Sequence, residues 1–138
     1  MKYLDIQKDL VKRYHINLDP DSKCWSRMHV HVRERRVCKW RYKNSFKATF
    51  DLMHEIGHIQ TSRPNLRRCE DEYLATQWAL DHLDDYGLEM DINIMGIFQD
   101  YIDREYDRGV RRHCKTLPPR ESLRLKHKGL ENGLFMPD

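Results

Sequence analysis

The sequence predicts an α+β fold in which a small antiparallel sheet packs on several helices. Two observations favour it: apolar residues recur at helical spacing in four long segments, and two short stretches near the N-terminus alternate with the period of a strand. At 138 residues, the chain is long enough for one hydrophobic core and too short for two ordinary ones. We therefore expect a single domain over residues 1–138, with a basic C-terminal extension from about residue 110.

The first predicted elements are one helix and a pair of strands. The opening segment, MKYLDIQKDLVKRY, carries apolar residues in helical steps and predicts an amphipathic helix, which the turn-rich NLDPDS ends. Residues 28–32 and 37–42 alternate with period two, so we expect a short antiparallel pair joined through 34–36.

Three further helices are predicted from start and stop signals along the chain. They run from 44 or 45 to about 60, from about 69 to 86 ahead of Gly87, and from the N-cap candidate Asp91 to about 109. In the tail, one short helix is expected around RESLRLKHKGL.

Composition and cysteine spacing narrow the classes of protein. No apolar stretch approaches the roughly 20 residues needed to span a bilayer, and the N-terminus lacks the apolar run of a signal peptide, so a cytoplasmic protein without membrane contact is expected. The four cysteines form no C-x-x-C pair, which argues against a zinc ribbon or a redox dithiol. We expect reduced and mostly buried thiols at Cys24, Cys38, Cys69 and Cys114.

The last third of the chain is rich in basic residues, although the net charge is only +3. Such a segment can contact an acidic partner or nucleic acid. Interleaved acids and a lack of stacking aromatics favour a solvated face instead. The bases are Arg104, Arg108, Arg111, Arg112, Lys115, Arg120, Arg124, Lys126 and Lys128, and the acids are Asp100, Asp103, Glu105 and Asp107.

The segment HEIGH, residues 54–58, carries the strongest chemical signal. On a helix, residues four apart lie one turn apart on one face, so His54 and His58 can both direct a ring nitrogen at one ion. Glu55 is offset by about 100°, where it can accept a proton from the attacking water without being a ligand. The spacing therefore predicts two metal ligands and one general base.

The apolar surroundings of this motif argue against a purely structural role. Two apolar stripes flank HEIGH, so the helix is expected to be buried on most sides. Burying three polar side chains without an ion would cost roughly 1–3 kcal/mol for each one left unpaired. Gly57 costs about 1 kcal/mol against Ala in mid-helix, which indicates a close approach of some other group to the backbone there.

A catalytic zinc site normally has three protein ligands, so the third must come from another element. The next predicted helix begins with three acids, Glu70, Asp71 and Glu72. A helical wheel directs Glu70 away from the inward face and leaves Glu72 or Asp71. Glu72 is favoured because its arm is longer and because Ala75, one turn later, leaves space beside it.

HEIGH, followed after a short loop by EDEYLATQWAL, resembles the small HExxH metallopeptidases of the ImmA/IrrE type, gluzincins found in phages and mobile elements. In that family the helix after the motif commonly reads E-x-x-A-x-x-F/W-A, and residues 72–79 fit this pattern with Glu72 in the leading position. The resemblance covers about residues 44–86. It departs from the family pattern at Leu74 and Thr76, because an acidic or amide residue is common beside the alanine.

The resemblance implies a minimal zincin-like metallopeptidase core that binds Zn²⁺ through His54, His58 and Glu72. It further implies hydrolysis of a peptide bond in a protein substrate, often a transcriptional repressor, with Glu55 as general base. Two other hypotheses stay open: a non-catalytic, metal-stabilised binding module whose basic C-terminal third contacts a repressor or nucleic acid, and a metal-dependent hydrolase of non-peptide substrates.

Several further residues are candidates for supporting roles. Tyr106, Arg104 or His113 would be able to stabilise an oxyanion, although each is more typical of surface or packing. The strand residues His29 and His31 would lie near the cleft if a substrate bound along an edge strand. His82 would support a metal ligand by a hydrogen bond, although a satisfied core histidine is the commoner role for such a residue.

Overall fold

The computed structural model describes residues 2–21 and 29–130 and confirms the α+β class. These residues form, in chain order, α1 (Tyr3–Arg13), β1 (Asn17–Asp19), β2 (His29–His31), β3 (Arg36–Cys38), α2 (Phe46–Gln60), α3 (Arg68–His82) and α4 (Ile92–Arg111). Two 3₁₀ helices, Leu83–Tyr86 and Arg120–Leu123, follow α3 and α4. The small sheet and the helices share one hydrophobic core.

The sheet contains the predicted antiparallel pair and one strand that was not predicted. β2 pairs antiparallel with β3, whereas β1 lies on the other side of β3 and pairs parallel to it, so the sheet is mixed and β2 is an edge strand. The strand β1 has the sequence NLD, which is typical of a turn, and pairing with β3 overrides that local preference. The predicted strand 37–42 ends at Cys38, and Met28, predicted to begin the first strand, lies outside the described residues.

The helix that carries HEIGH forms as predicted. Ser45 is its N-cap, since its side chain accepts a hydrogen bond from the backbone N–H of Ala48. Ten of the fifteen residues of α2 are buried, as the two apolar stripes predict. The HEIGH segment therefore lies in the interior of the molecule, between the sheet and the other helices.

The two following helices also match their predicted ends. The α-helical part of α3 stops at His82 and tightens into the 3₁₀ turn, which Gly87 ends with a left-handed φ of 64°. Asp91 caps α4 by accepting from the N–H groups of Asn93 and Ile94. The expected short helix of the tail is reduced to the single 3₁₀ turn at Arg120–Leu123.

Two glutamine side chains attach the C-terminal segment to the helices. Gln99 of α4 donates to the carbonyl of Leu123 at 2.9 Å and accepts from the N–H of Leu125 at 2.8 Å. Gln77 of α3 donates to the carbonyl of Lys126 at 2.8 Å and accepts from its N–H at 3.0 Å. The predicted basic extension is therefore packed on α3 and α4 as far as residue 130.

Two arginines of this segment lie next to acids of α4, in line with the interleaved charges of the sequence. Arg124 contacts Asp103 at 2.7 Å, and both side chains are mostly buried. Arg120 pairs with Asp107, and Arg108 pairs with Glu105. These pairs reduce the positive potential that the composition of the segment alone would give.

The thiols and the lengths of the helices bear on the class of protein. Cys38 and Cys69 are buried and free, Cys114 is free and partly exposed, and Cys24 lies outside the described residues. Within 2–21 and 29–130, every helix is too short or too polar to traverse a lipid bilayer.

Helices α2 and α3 pack so closely that only glycine fits at their crossing. A Cβ atom built on Gly57 would lie 2.3 Å from the carbonyl oxygen of Ala75 and 2.9 Å from its Cα. This contact is the close backbone approach that the mid-helix glycine predicts. It brings the His54 and His58 turn of α2 against the Glu72 turn of α3.

We expect Gly57→Ala to lower the free energy of unfolding by about 1–3 kcal/mol, because the new methyl group must separate two backbones. The substitution would do so despite the gain of about 1 kcal/mol in helix propensity. Urea unfolding of the metal-free protein measures the change. Gly96→Ala in α4 is the matched control, since its Cβ meets nothing within 4 Å and it should stabilise the protein; effects of the same sign at both positions would contradict this packing account.

Candidate metal centre

The structure brings His54, His58 and Glu72 together at the α2–α3 crossing. Nε2 of His54 lies 3.0 Å from Oε2 of Glu72 and 3.1 Å from Nε2 of His58, and the third edge, from His58 Nε2 to Glu72 Oε2, is 3.4 Å. Four-coordinate zinc with ligand bonds of about 2.0–2.1 Å has ligand–ligand edges of about 3.3 Å. The three atoms therefore have the spacing of one face of such a coordination sphere.

A hydrogen-bond relay fixes the orientation of the His54 ring. The Thr76 hydroxyl donates to the backbone carbonyl of Glu72 at 2.8 Å, so its oxygen is left to accept from Nδ1–H of His54 at 2.9 Å. With the proton on Nδ1, Nε2 of His54 presents a lone pair to Glu72 and His58. The helix that supplies Glu72 thereby also sets the tautomer of His54.

A carboxylate does the same for His58. Nδ1 of His58 lies 3.1 Å from Oδ1 of Asp71, which accepts its proton and directs Nε2 towards the other two donor atoms. The two acids left open by the helical wheel thus take different positions: Glu72 faces both Nε2 atoms, and Asp71 lies behind His58. Glu70 accepts from the backbone N–H of Arg67 at the start of α3 and is directed away from the site.

The three donor atoms do not carry enough protons for each pair of them to form a hydrogen bond. Nε2 of His54 is an acceptor when Nδ1 is protonated, and Oε2 of Glu72, 3.0 Å away, is an acceptor as well. A proton on His58 Nε2 can bridge to only one of these two neighbours. A cation at the centre would satisfy all three lone pairs at once.

The pKa values of Glu72 and His58 in the metal-free site also indicate that the site favours a positive charge. Burial raises the pKa of Glu72, but the adjoining rings of His54 and His58 outweigh it and lower the pKa to about 2. Burial lowers the pKa of His58, but its hydrogen bonds with Asp71 and Glu72 outweigh that effect and raise the pKa to about 10. At neutral pH, the metal-free protein therefore holds a proton on His58 where a metal ion would bind.

Glu55 lies next to the three donor atoms without being part of their triangle. The half-buried side chain lines the same cleft as His54, His58 and Glu72. Burial raises the pKa of Glu55, an effect that the neighbouring histidines only partly offset. A carboxylate with a raised pKa is a stronger proton acceptor than an exposed one.

A cleft of about 560 Å³ opens over these residues. Its floor is α2 and α3, one wall is the edge strand β2 with His29 and Val30, and the other is α4 with Phe98, Tyr101 and Arg104. The Phe98 ring lies 5.1 Å from the ring of His54 and packs the α4 wall against the site. The cleft is therefore open to a ligand that approaches between an edge strand and a helix.

Only one of the three predicted oxyanion candidates lies in this cleft. Arg104 lines it on α4. Tyr106 is packed under the guanidinium of Arg120 at 4.4 Å, and His113 lines a separate cavity at the far end of α4. The structure adds Tyr101, one helical turn before Arg104, whose hydroxyl accepts a hydrogen bond from Arg68 at 3.2 Å.

The remaining histidines predicted to have supporting roles, His29, His31 and His82, fall into two groups. His29 lines the cleft, as its position on an edge strand predicts, and its Nε2 lies 3.2 Å from Nε2 of His31. His82 donates from Nδ1 to the carbonyl of Trp78 at 2.7 Å and stacks on the Trp78 ring. It is thus a satisfied histidine outside the metal centre and does not contact any of the three candidate ligands.

Comparison of the chain with protein families, curated proteins and solved structures returned no match. The resemblance to the ImmA/IrrE type stays a prediction that rests on residues 54–58 and 72–79.

Thr76 belongs to the candidate centre although the sequence pattern does not predict it. The family pattern marks it only as a departure, yet it is the hydrogen-bond partner of His54. A sequence signal existed, since Thr76 follows Glu72 by four residues and so lies on the same face of α3. Tyr101 had no comparable signal, because α4 was not predicted to form a wall of the cleft.

We expect Thr76→Val to weaken zinc binding by about 10- to 100-fold, because it removes the acceptor that orients His54 while keeping the volume of the side chain. Competition with a chromophoric chelator measures the affinity. Thr49→Val is the control: Thr49 is another buried threonine, bonded to Gln7, and its loss should reduce stability without changing zinc affinity. Equal affinities in wild type and Thr76→Val would show that the relay does not tune the site.

The raised pKa of His58 predicts a pH dependence of metal binding. Below a pKa of about 10 the ion must displace the proton on His58, so the apparent zinc affinity should rise about tenfold per pH unit between pH 7 and 9. The same titration on His54→Ala separates this centre from any other zinc bound by the chain. An affinity at this centre that stays flat over the interval would contradict the proton assignment.

Proposed function

We propose that the protein is a zinc-dependent peptidase whose centre is formed by His54, His58 and Glu72, with Glu55 as general base. The observation that carries the proposal is the triangle of donor atoms, with edges of 3.0, 3.1 and 3.4 Å, at the floor of a cleft lined by Glu55. Two imidazoles and one carboxylate are the ligand set of catalytic zinc sites that keep a fourth position open.

The ion would supply Lewis-acid chemistry, polarising the scissile carbonyl and making the attacking water more acidic. The chain supplies the acid–base chemistry. Glu55 accepts a proton from the water as it attacks and returns it to the leaving nitrogen when the tetrahedral intermediate collapses. Its raised pKa favours the first of these transfers, and its position in the cleft lets the same carboxylate perform both.

The shape of the cleft favours an extended peptide as the substrate. The edge strand β2 borders it, and a peptide bound there would be able to continue the sheet by main-chain hydrogen bonds. Apolar side chains of Val30 and Phe98 and basic side chains of Arg68 and Arg104 line its walls. We propose that Arg104 and Tyr101 face the substrate from the α4 wall.

The proposed activity agrees with what the resemblance to ImmA/IrrE-type metallopeptidases implies. The position of Glu72 opposite both histidines supports that family, since Glu72 leads the E-x-x-A pattern of the helix after the motif. Within this proposal the substrate is a protein, with a transcriptional repressor as the first to test.

We expect Glu55→Gln to keep its zinc and to lose about 10²- to 10⁴-fold in turnover, because it removes the proton acceptor and no ligand. A quenched-fluorescence peptide library measures cleavage, and elemental analysis measures zinc.

Asp51→Asn is the matched control for this experiment. Asp51 lies one turn earlier on α2, lines the same cleft and pairs with Lys47 at 3.0 Å. Its substitution should change turnover by less than about tenfold, which is the range of a surface ion pair rather than of a general base. Undiminished turnover in Glu55→Gln would show that Glu55 is not the general base. A zinc-loaded wild type that cleaves no library member would favour the non-catalytic binding module.

A further inference from the structure

A second cluster of metal-ligating side chains lies on the β2–β3 pair. His29 and Cys38 are direct partners in the antiparallel register, so their side chains lie on the same face of the sheet. His31 follows His29 by two residues and shares that face. The hairpin therefore brings two imidazoles and one thiol together from two neighbouring strands.

The spacing of these groups suits a single ion. The two Nε2 atoms lie 3.2 Å apart, close to the edge of about 3.3 Å expected for two imidazoles on four-coordinate zinc. One potential ligand atom from each of His29, His31 and Cys38 lies within 4.8 Å of the other two. The sulfur needs to approach by at most about 1 Å to complete the third contact, given zinc–sulfur bonds of about 2.3 Å.

The chemistry of the three groups selects the kind of metal. A thiolate with two imidazoles suits a borderline or soft ion such as Zn²⁺, and is a poor set for Mg²⁺ or Ca²⁺, which require oxygen ligands. Cys38 is fully buried, whereas both histidines are partly exposed, so an ion would be shielded on the sulfur side and reachable on the imidazole side.

We propose that His29, His31 and Cys38 form a second zinc site, separate from the centre on α2 and α3, that ties β2 to β3. Binding requires a thiolate and two Nε2 lone pairs. The thiol proton of Cys38 is released to solvent, and a proton on either Nε2 atom moves to Nδ1 of the same ring or is released to solvent. No electron transfer or further reactant is involved.

Such a site would stabilise a part of the fold that is otherwise weak. Within the described residues each strand of the sheet spans three positions, so the edge strand β2 is held to β3 by a ladder of only three residue pairs. β2 also forms one wall of the cleft through His29 and Val30. An ion that links β2 to β3 would therefore hold the edge strand in place, whether or not the cleft performs hydrolysis.

Titration of the metal-free full chain with Co²⁺ tests the proposal, because a thiolate bound to Co²⁺ gives an intense near-ultraviolet charge-transfer absorption that imidazole and carboxylate ligands do not. The centre at His54, His58 and Glu72 contains no sulfur, so the absorption reports on the second site alone. Wild type should bind two Co²⁺ and show the absorption. His54→Ala should bind one Co²⁺ and still show the absorption. Cys38→Ser should also bind one Co²⁺ but should not show the absorption.

Two further variants keep the test decisive. Cys69→Ser, at another buried free thiol, should bind two Co²⁺ and keep the absorption. His31→Gln should lose the second equivalent while keeping the thiol, and it replaces Cys38→Ser if that variant does not fold. The proposal is overturned if wild type lacks the absorption, or if the absorption survives in Cys38→Ser or in His31→Gln; the pair at 3.2 Å would then be two histidines sharing a proton.

Discussion

The contact between Gly57 and Ala75 is the constraint on which the rest of the site depends. At this crossing the backbones of α2 and α3 touch, with no side chain between them. His54 and His58 lie on either side of Gly57 along α2, and Glu72 and Thr76 lie on either side of Ala75 along α3. The close approach therefore determines how far the Glu72 carboxylate lies from the two imidazoles, whose own separation is set by the helical spacing of α2.

Both candidate histidine ligands in this centre are oriented by side chains of α3. Thr76 orients His54, and Asp71 orients His58, while Glu72 contributes its carboxylate to the centre and its backbone carbonyl to Thr76. The two Nδ1 protons and both ring orientations are thus fixed in the protein itself, which would lower the cost of ordering the ligands around a metal ion.

The sequence was most informative where local spacing determines geometry. The i, i+4 pair His54 and His58 and the burial of α2 follow from helical periodicity, and the close backbone approach at Gly57 follows from the cost of glycine in mid-helix. The role of Asp71 did not, because a helical wheel gives direction but not the distance between two helices. Strand β1 was missed because pairing with β3, a non-local interaction, stabilises three residues whose own preference is for a turn.

The candidate centre is local in the chain, since its candidate ligands, the proposed general base and both orienting groups fall within two segments, 54–58 and 71–76. Everything else in the fold has to satisfy packing, and many combinations of apolar residues fill a core of given volume. Such a site presents a small mutational target. We expect these eleven positions to change slowly while the helices, sheet and tail around them diverge, so that two short matching segments would outlast overall similarity between distant relatives.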